Sequence, residues 1–255
     1  MLLVLKLFLA PMLIGLVSIA SRRWGPAVGG WLVSLPLTSA PVILFLAIDQ
    51  GTAFASSAAQ DTMMGIMSVV SFGEVYCWFS FRFGRSISML AGWGAFFTLT
   101  FILKGISLPL LLSFVGVIAY LAVVLTIMPK NQGKGITITP PPWDTPLRMF
   151  VATAFVLGLT GAAAILGPQL SGLLTPFPMF ATILVVFTHH FQGASSARRL
   201  LHGLVAGSFT VVVFFLIISL LVNRWGIAIA FGLALLAAMV IHGTSLFLMS
   251  HFHNT

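Results

Sequence analysis

A run of 41 residues, Gly25 to Gly65, occurs twice in this chain. Displaced by 142 positions, Gly25-Pro26 falls on Gly167-Pro168, and no gap is needed through to Gly207. Ten positions in the run are identical: Gly25, Pro26, Gly30, Leu32, Pro36, Phe45, Gln50, Gly51, Ala55 and Gly65. The same displacement carries Arg82-Phe83-Gly84 onto Arg224-Trp225-Gly226. Matched apolar residues mean little in a chain rich in them. Matched Gly and Pro fix backbone bends, so their common register implies the same sequence of bends in both halves.

What solvent those bends meet follows from composition. The 255 residues are 59% hydrophobic and 6% charged, too few charges to cover a water-soluble domain of this size. Lipid is the expected surroundings, and the longest polar stretch, about Pro129 to Thr145, leaves no room for a large soluble domain. The 12 Lys and Arg lie in short connections between apolar runs, which reads as positive-inside orientation rather than nucleic-acid binding. Cys77 stands alone, so no disulfide framework or Cys-rich metal site is expected. Residues 2–20 lack a basic leader and are followed by Arg22-Arg23, which predicts a membrane helix and not a cleaved signal.

Runs of about 20 apolar residues predict spans over 2–20, 27–48, 62–81, 86–103, 107–128, 147–166, 169–190, 200–222 and 226–249. The expected architecture is an all-α polytopic membrane protein of nine helices. Its parts are a first four-span repeat (1–105), a linking helix with its loop (106–146) and a second four-span repeat (147–255). Nine basic residues then fall on one side (Arg22, Arg23, Arg82, Arg85, Lys130, Lys134, Arg148, Arg198, Arg199) and three on the other (Lys6, Lys104, Arg224). The basic side is expected to be cytoplasmic, with the N-terminus outside and the C-terminus inside a bacterial-type inner membrane. Four spans plus one linker invert the second repeat. Its loops exchange basic residues accordingly, the 49–61 connection without Lys or Arg corresponding to one that carries Arg198-Arg199. Inverted repeats built on discontinuous helices recur among secondary transporters.

The segment Gly172-Leu-Leu-Thr-Pro-Phe-Pro-Met-Phe-Ala181, followed by His189-His190, a polar turn and a long apolar helix, resembles the GlpM-like small inner-membrane proteins. Those are single four-span units. The resemblance covers about 167–222 and, more faintly, the first repeat, and implies two such units joined by a helix. It carries no chemistry with it.

Candidate chemistry gathers at the interrupted helices. Ser34 to Pro41 holds Pro36, Thr38, Ser39 and Pro41; Thr175 to Thr182 holds Thr175, Pro176, Pro178 and Thr182. Proline removes an amide donor and disfavours helix in the residue before it, so backbone groups are freed in mid-span. In lipid such groups persist only where protein or trapped water satisfies them. Paired breaks in inverted repeats point to a substrate or ion pathway between spans two and seven. The alternative is a pair of packing kinks satisfied by neighbouring hydroxyls. Glu74, the one glutamate, lies within a span and is expected to face inward as a protonatable coupling group, or as a bonded structural acid. Leu216 takes its place in the second repeat, so any coupling is one-sided. Asp49 and Asp61 flank an outer connection as a possible acidic mouth, with no carboxylate at the corresponding Phe191 and Gly203. His189-His190, His202 and Arg198-Arg199 predict an interfacial cluster contacting anionic groups, since adjacent His side chains diverge by about 100° on a helix. His242, within the last span, is a pathway candidate or a helix–helix hydrogen bond.

No phosphate loop, HExxH or nucleophile elbow occurs, and no enzyme activity, metal or cofactor is expected. The expected function is a small secondary transporter for a solute or ion, with the lipid bilayer and another copy of the chain as partners. The other readings are an assembly subunit of an envelope system and a passive channel.

Overall fold

A computed structural model of the chain describes residues 2–36, 39–129, 141, 143–154 and 177–252. All secondary structure among them is helical. The helices are α1 (Leu2–Trp24), α2 (Pro26–Val33), α3 (Ser39–Asp49), α4 (Thr52–Phe79), α5 (Arg85–Lys104), α6 (Leu110–Ile127), α7 (144–154) and α8 (Met179–Phe252). Helices satisfy every backbone group internally, which is what an apolar solvent demands. Among the described residues four helical stretches are long and apolar enough to cross a membrane: α4, α5, α6 and the Met179–Thr244 part of α8.

Glycine sets where the helices begin. Gly25, Gly51, Gly193 and Gly226 all have φ between 78 and 97° with ψ near 162–174°, a region open only to glycine. Gly25 separates α1 from α2, and Gly51 leads into α4. Gly193 and Gly226 divide α8 into three helical segments, 179–192, 194–225 and 227–252. Gly51 and Gly193, related by the 142-residue displacement, thus share one conformation. Gly84 and Gly226, also related, do not: Gly84 has φ −68°.

Because Gly51 redirects the chain in a single residue, the expected 49–61 loop does not exist. Helix α4 starts at Thr52, ten residues before the apolar run that marks it in the sequence. Its early hydroxyls are satisfied within the helix, Ser57 on the Ala53 carbonyl and Thr62 on the Ala58 carbonyl. Asp61 therefore lies on an exposed helical face and forms no mouth with Asp49 at the end of α3. The break at 34–38 between α2 and α3 falls within the span expected over 27–48. The division of α5 from α6 follows Lys104 as expected.

Two packings hold the centre. Helix α4 runs antiparallel to the middle segment of α8: Ser56 meets Ser219 at one end (2.8 Å to its carbonyl), and Arg198 meets Ser80 at the other (3.3 Å). Buried Phe72, Tyr76, Leu201, Val205, Phe215 and Val222 lie along these two helices. Helix α2 packs against the same α8 segment with backbone on backbone. A Cβ at Gly30 would meet the Leu200 carbonyl, and one at Gly203 the Ala27 carbonyl. Without a hydrophobic drive between helices in lipid, close approach at small residues is what gains dispersion energy, and Gly203 and Gly207 stand in GxxxG spacing. Helix α6 lies against α4 and α8, and α5 against α4.

Candidate functional site

The first break is closed locally. Ser34 Oγ donates to the Trp31 carbonyl at 2.6 Å, and the Leu35 and Ala40 amides bond to Leu32 and Pro36. Pro36 is buried, while Ser39 and Pro41 are half-buried in the first turn of α3. Where the second break is expected, only Phe177 onward is described: Pro178 and Thr182 are buried at the start of α8, and the Thr182 amide bonds to the Pro178 carbonyl at 2.8 Å. Trp93 Nε1 on α5 donates to Thr182 Oγ1 at 3.2 Å, and Phe177 packs among Trp93, Phe96 and Phe97. Thr38, Thr175 and Pro176 lie outside the described residues, as do 155–166 of the sixth expected span.

Residues flanking the first break and the start of α8 meet across one small crevice of about 20 Å³, room for about one water. Leu32, Val33 and Leu35 come from beside the first break, Phe180 and Leu184 from the first turns of α8, and Leu13, Ile14 and Val17 from α1. Every lining side chain named is apolar.

Glu74 sits apart from this crevice. It is half-buried on α4, and no hydrogen bond or ion pair engages it among the described residues. Its charge reaches Tyr120 on α6 and Cys77 one turn on. Ser71, three residues before Glu74, is buried and bonds Tyr120 at 2.6 Å, so α4 and α6 are joined by a hydroxyl pair one turn from the acid. Trp78, four residues after Glu74, is exposed.

His242 takes its place as a helix–helix contact. Its Nδ1 bonds Thr210 Oγ1 at 3.0 Å, and its ring stacks on Trp31 at 3.5 Å. The 142-residue displacement puts Ser68 in the place of Thr210 and Thr100 in that of His242. The hydroxyl oxygens of Ser68 and Thr100 are both buried without a hydrogen bond.

The polar residues that sequence reasoning missed lie around Asp144. This carboxylate is fully buried, with Arg22 Nη2 at 2.7 Å and Arg148 Nε at 3.0 Å. Arg148 is buried as well and lies over the Phe187 ring at 5.3 Å. Asp144-x-x-x-Arg148 is an i, i+4 pair at the start of an apolar helix, a signal available in the sequence. Next to it, His189 Nδ1 bonds the Tyr76 hydroxyl at 2.9 Å and His190 Nδ1 contacts Arg85 Nη1. The two histidines diverge, as helix geometry requires. His202 bonds the Pro129 carbonyl at 3.0 Å. Arg22, Arg85, Arg148 and Arg198 are thereby gathered at one end of the bundle. No group of three metal-ligating side chains occurs among the described residues.

The chain matches no protein-family model, no curated protein and no solved structure.

Proposed function

We propose that the chain is a small secondary transporter of nine spans, two inverted four-helix repeats joined by α6, with its solute path between the two interrupted helices. The observation that carries this reading is the small apolar crevice between the residues flanking the first break and the start of α8, where the second break is expected. Discontinuous helices that meet at the interface of two repeats are where transporters of this design hold their solute. The antiparallel run of α4 against the middle of α8 supports inversion, because those helices correspond under the 142-residue displacement. The shared conformation of Gly51 and Gly193 supports common descent, in keeping with the resemblance to duplicated GlpM-like units. The gathering of arginines at one end supports a cytoplasmic face there, in a bacterial-type inner membrane. In this reading Glu74, beside the Ser71–Tyr120 pair, carries the coupling proton, and no catalytic chemistry is assigned.

Cysteine accessibility tests it, in a Cys77→Ser background. Thr38→Cys and Thr182→Cys should each be labelled from one side of the membrane, with the side changing when a proton gradient is imposed. In proteoliposomes, Glu74→Gln should abolish gradient-driven uptake while leaving the protein folded, since Gln bonds like the acid but cannot titrate. Unchanged uptake would remove Glu74 from the mechanism.

A second reading is an assembly subunit of a larger envelope system. The Ser34 bond to the Trp31 carbonyl favours it, because that bond makes the first break self-sufficient as a packing kink. Absence of labelling at both positions is its signature. Uptake that persists in Glu74→Gln without any gradient would instead indicate a passive channel.

A further inference from the structure

Arg85, His189, His190 and Arg198 converge from three directions where α4 ends, α5 begins and α8 turns at Gly193. Arg85 contacts His190, His189 bonds Tyr76, and Arg198 donates to Ser80 with its guanidinium 4.1 Å above the Phe81 ring. Both arginines act electrostatically on His189. We propose that this junction is a docking site for the phosphate headgroup of an anionic phospholipid.

The argument is one of counter-charge. Like charges gathered at a membrane protein's edge repel unless an anion sits among them. The chain has four acids to supply one. Asp144 is already held between Arg22 and Arg148. Asp49 and Asp61 lie toward the other end of α4; at 1.5 Å per residue, Asp61 is roughly 27 Å along the helix from Phe79. Glu74 makes no ion pair, and no carboxylate lies within ion-pair distance of Arg85, among the described residues. Arg85 is solvent-exposed and spends one of its five donors on His190, which leaves four for an anion. Arg85 therefore draws its anion from outside these four acids.

The surroundings select its source. Four aromatic side chains around the cluster are exposed: Trp78 at 53%, Phe79 at 37%, Phe81 at 52% and Phe83 at 45%. A soluble phosphate gains nothing from that collar. A phospholipid uses both parts, its headgroup on the cations and its glycerol and upper acyl chain against the rings, at the depth where aromatic belts sit. The site is independent of whether the chain transports anything.

The test uses the full chain in nanodiscs of phosphatidylcholine, with phosphatidylglycerol titrated in and thermal unfolding followed. Phosphatidylglycerol should raise the unfolding temperature, and high salt should weaken the effect. The Arg85→Gln/His190→Gln variant should bind it at least about fivefold more weakly. Arg85→Lys, which keeps charge but not the fork, should fall between and serves where the double variant does not fold. Lys104→Gln/Arg224→Gln, at the other end, should titrate like the parent. Equal stabilisation by phosphatidylcholine alone, or an unchanged titration in both Arg85 variants, would overturn the proposal. So would inorganic phosphate reproducing the whole shift, which would make the site one for a soluble anion.

Discussion

The Trp31 indole lies flat on the His242 imidazole, ring centroids 3.5 Å apart and planes 15° from parallel. Residues 211 positions apart are thereby clamped in the buried centre of the molecule, with Thr210 holding the imidazole from the other side. The short helix before the first break is fixed to the last helix of the chain. This contact sets where the break points.

Loss of that clamp should be measurable. His242→Ala removes the stack and the Thr210 bond together and is expected to destabilise the fold by about 2–3 kcal/mol. His242→Asn, which can keep the bond without the full stack, should cost less. Equilibrium unfolding in detergent, with Trp31→Leu completing a double-mutant cycle, separates the two contributions.

The α2–α8 contact has no space for a side chain. Gly30→Val and Gly203→Val should each abolish accumulation of folded protein, because the new Cβ would strike a helix backbone that cannot rotate away. Gly232→Ala, where a Cβ meets nothing within 4 Å, should express like the parent. Yield of monodisperse protein after solubilisation reads both.

Asp144 is predicted to be the costliest acid to neutralise. Asp144→Asn leaves buried Arg148 without its counter-charge and is expected to cost about 3–5 kcal/mol. Arg22→Gln should cost far less, since the Arg22 side chain is 29% exposed and water can replace it. Asp144→Leu/Arg148→Met, which removes both charges, should recover much of the loss. Thermal unfolding of the four proteins ranks them.

Topology has its own expected outcome. Reporter fusions after Gly105 and after Thr255 should report outside and inside respectively, as nine spans require. Reporters placing both ends of the chain on the same side would refute the odd count.

Much of the helical layout was legible in order of residues, because its causes act within a turn or two of backbone. Long apolar runs fold as helices wherever water is absent, and the Ser34-Leu-Pro stretch breaks its helix wherever it stands. Gly51 and Gly193 were visible as matched punctuation. What was not visible is that Gly51 turns the chain in one residue, so that α4 begins at Thr52 and no loop separates Asp49 from Asp61. Hydropathy placed that start ten residues late, since a polar helical turn and a polar loop have the same composition.

The candidate site divides along the same line. The broken helices and the polar helix–helix role open to His242 could be read from residue type, since each follows from what one side chain costs in lipid. The identity of partners could not. Asp144 meets Arg22 across 122 positions, Arg85 meets His190 across 105, and Trp31 rather than any neighbour stacks on His242. Sequence alone determined the helical class, the break after Val33 and which groups need a partner, because these are local properties of backbone and solvent. Only tertiary structure decided which groups meet, because that follows from glycines letting α2 and α8 touch and from α4 lying antiparallel along α8. These are packing choices made by the whole chain at once.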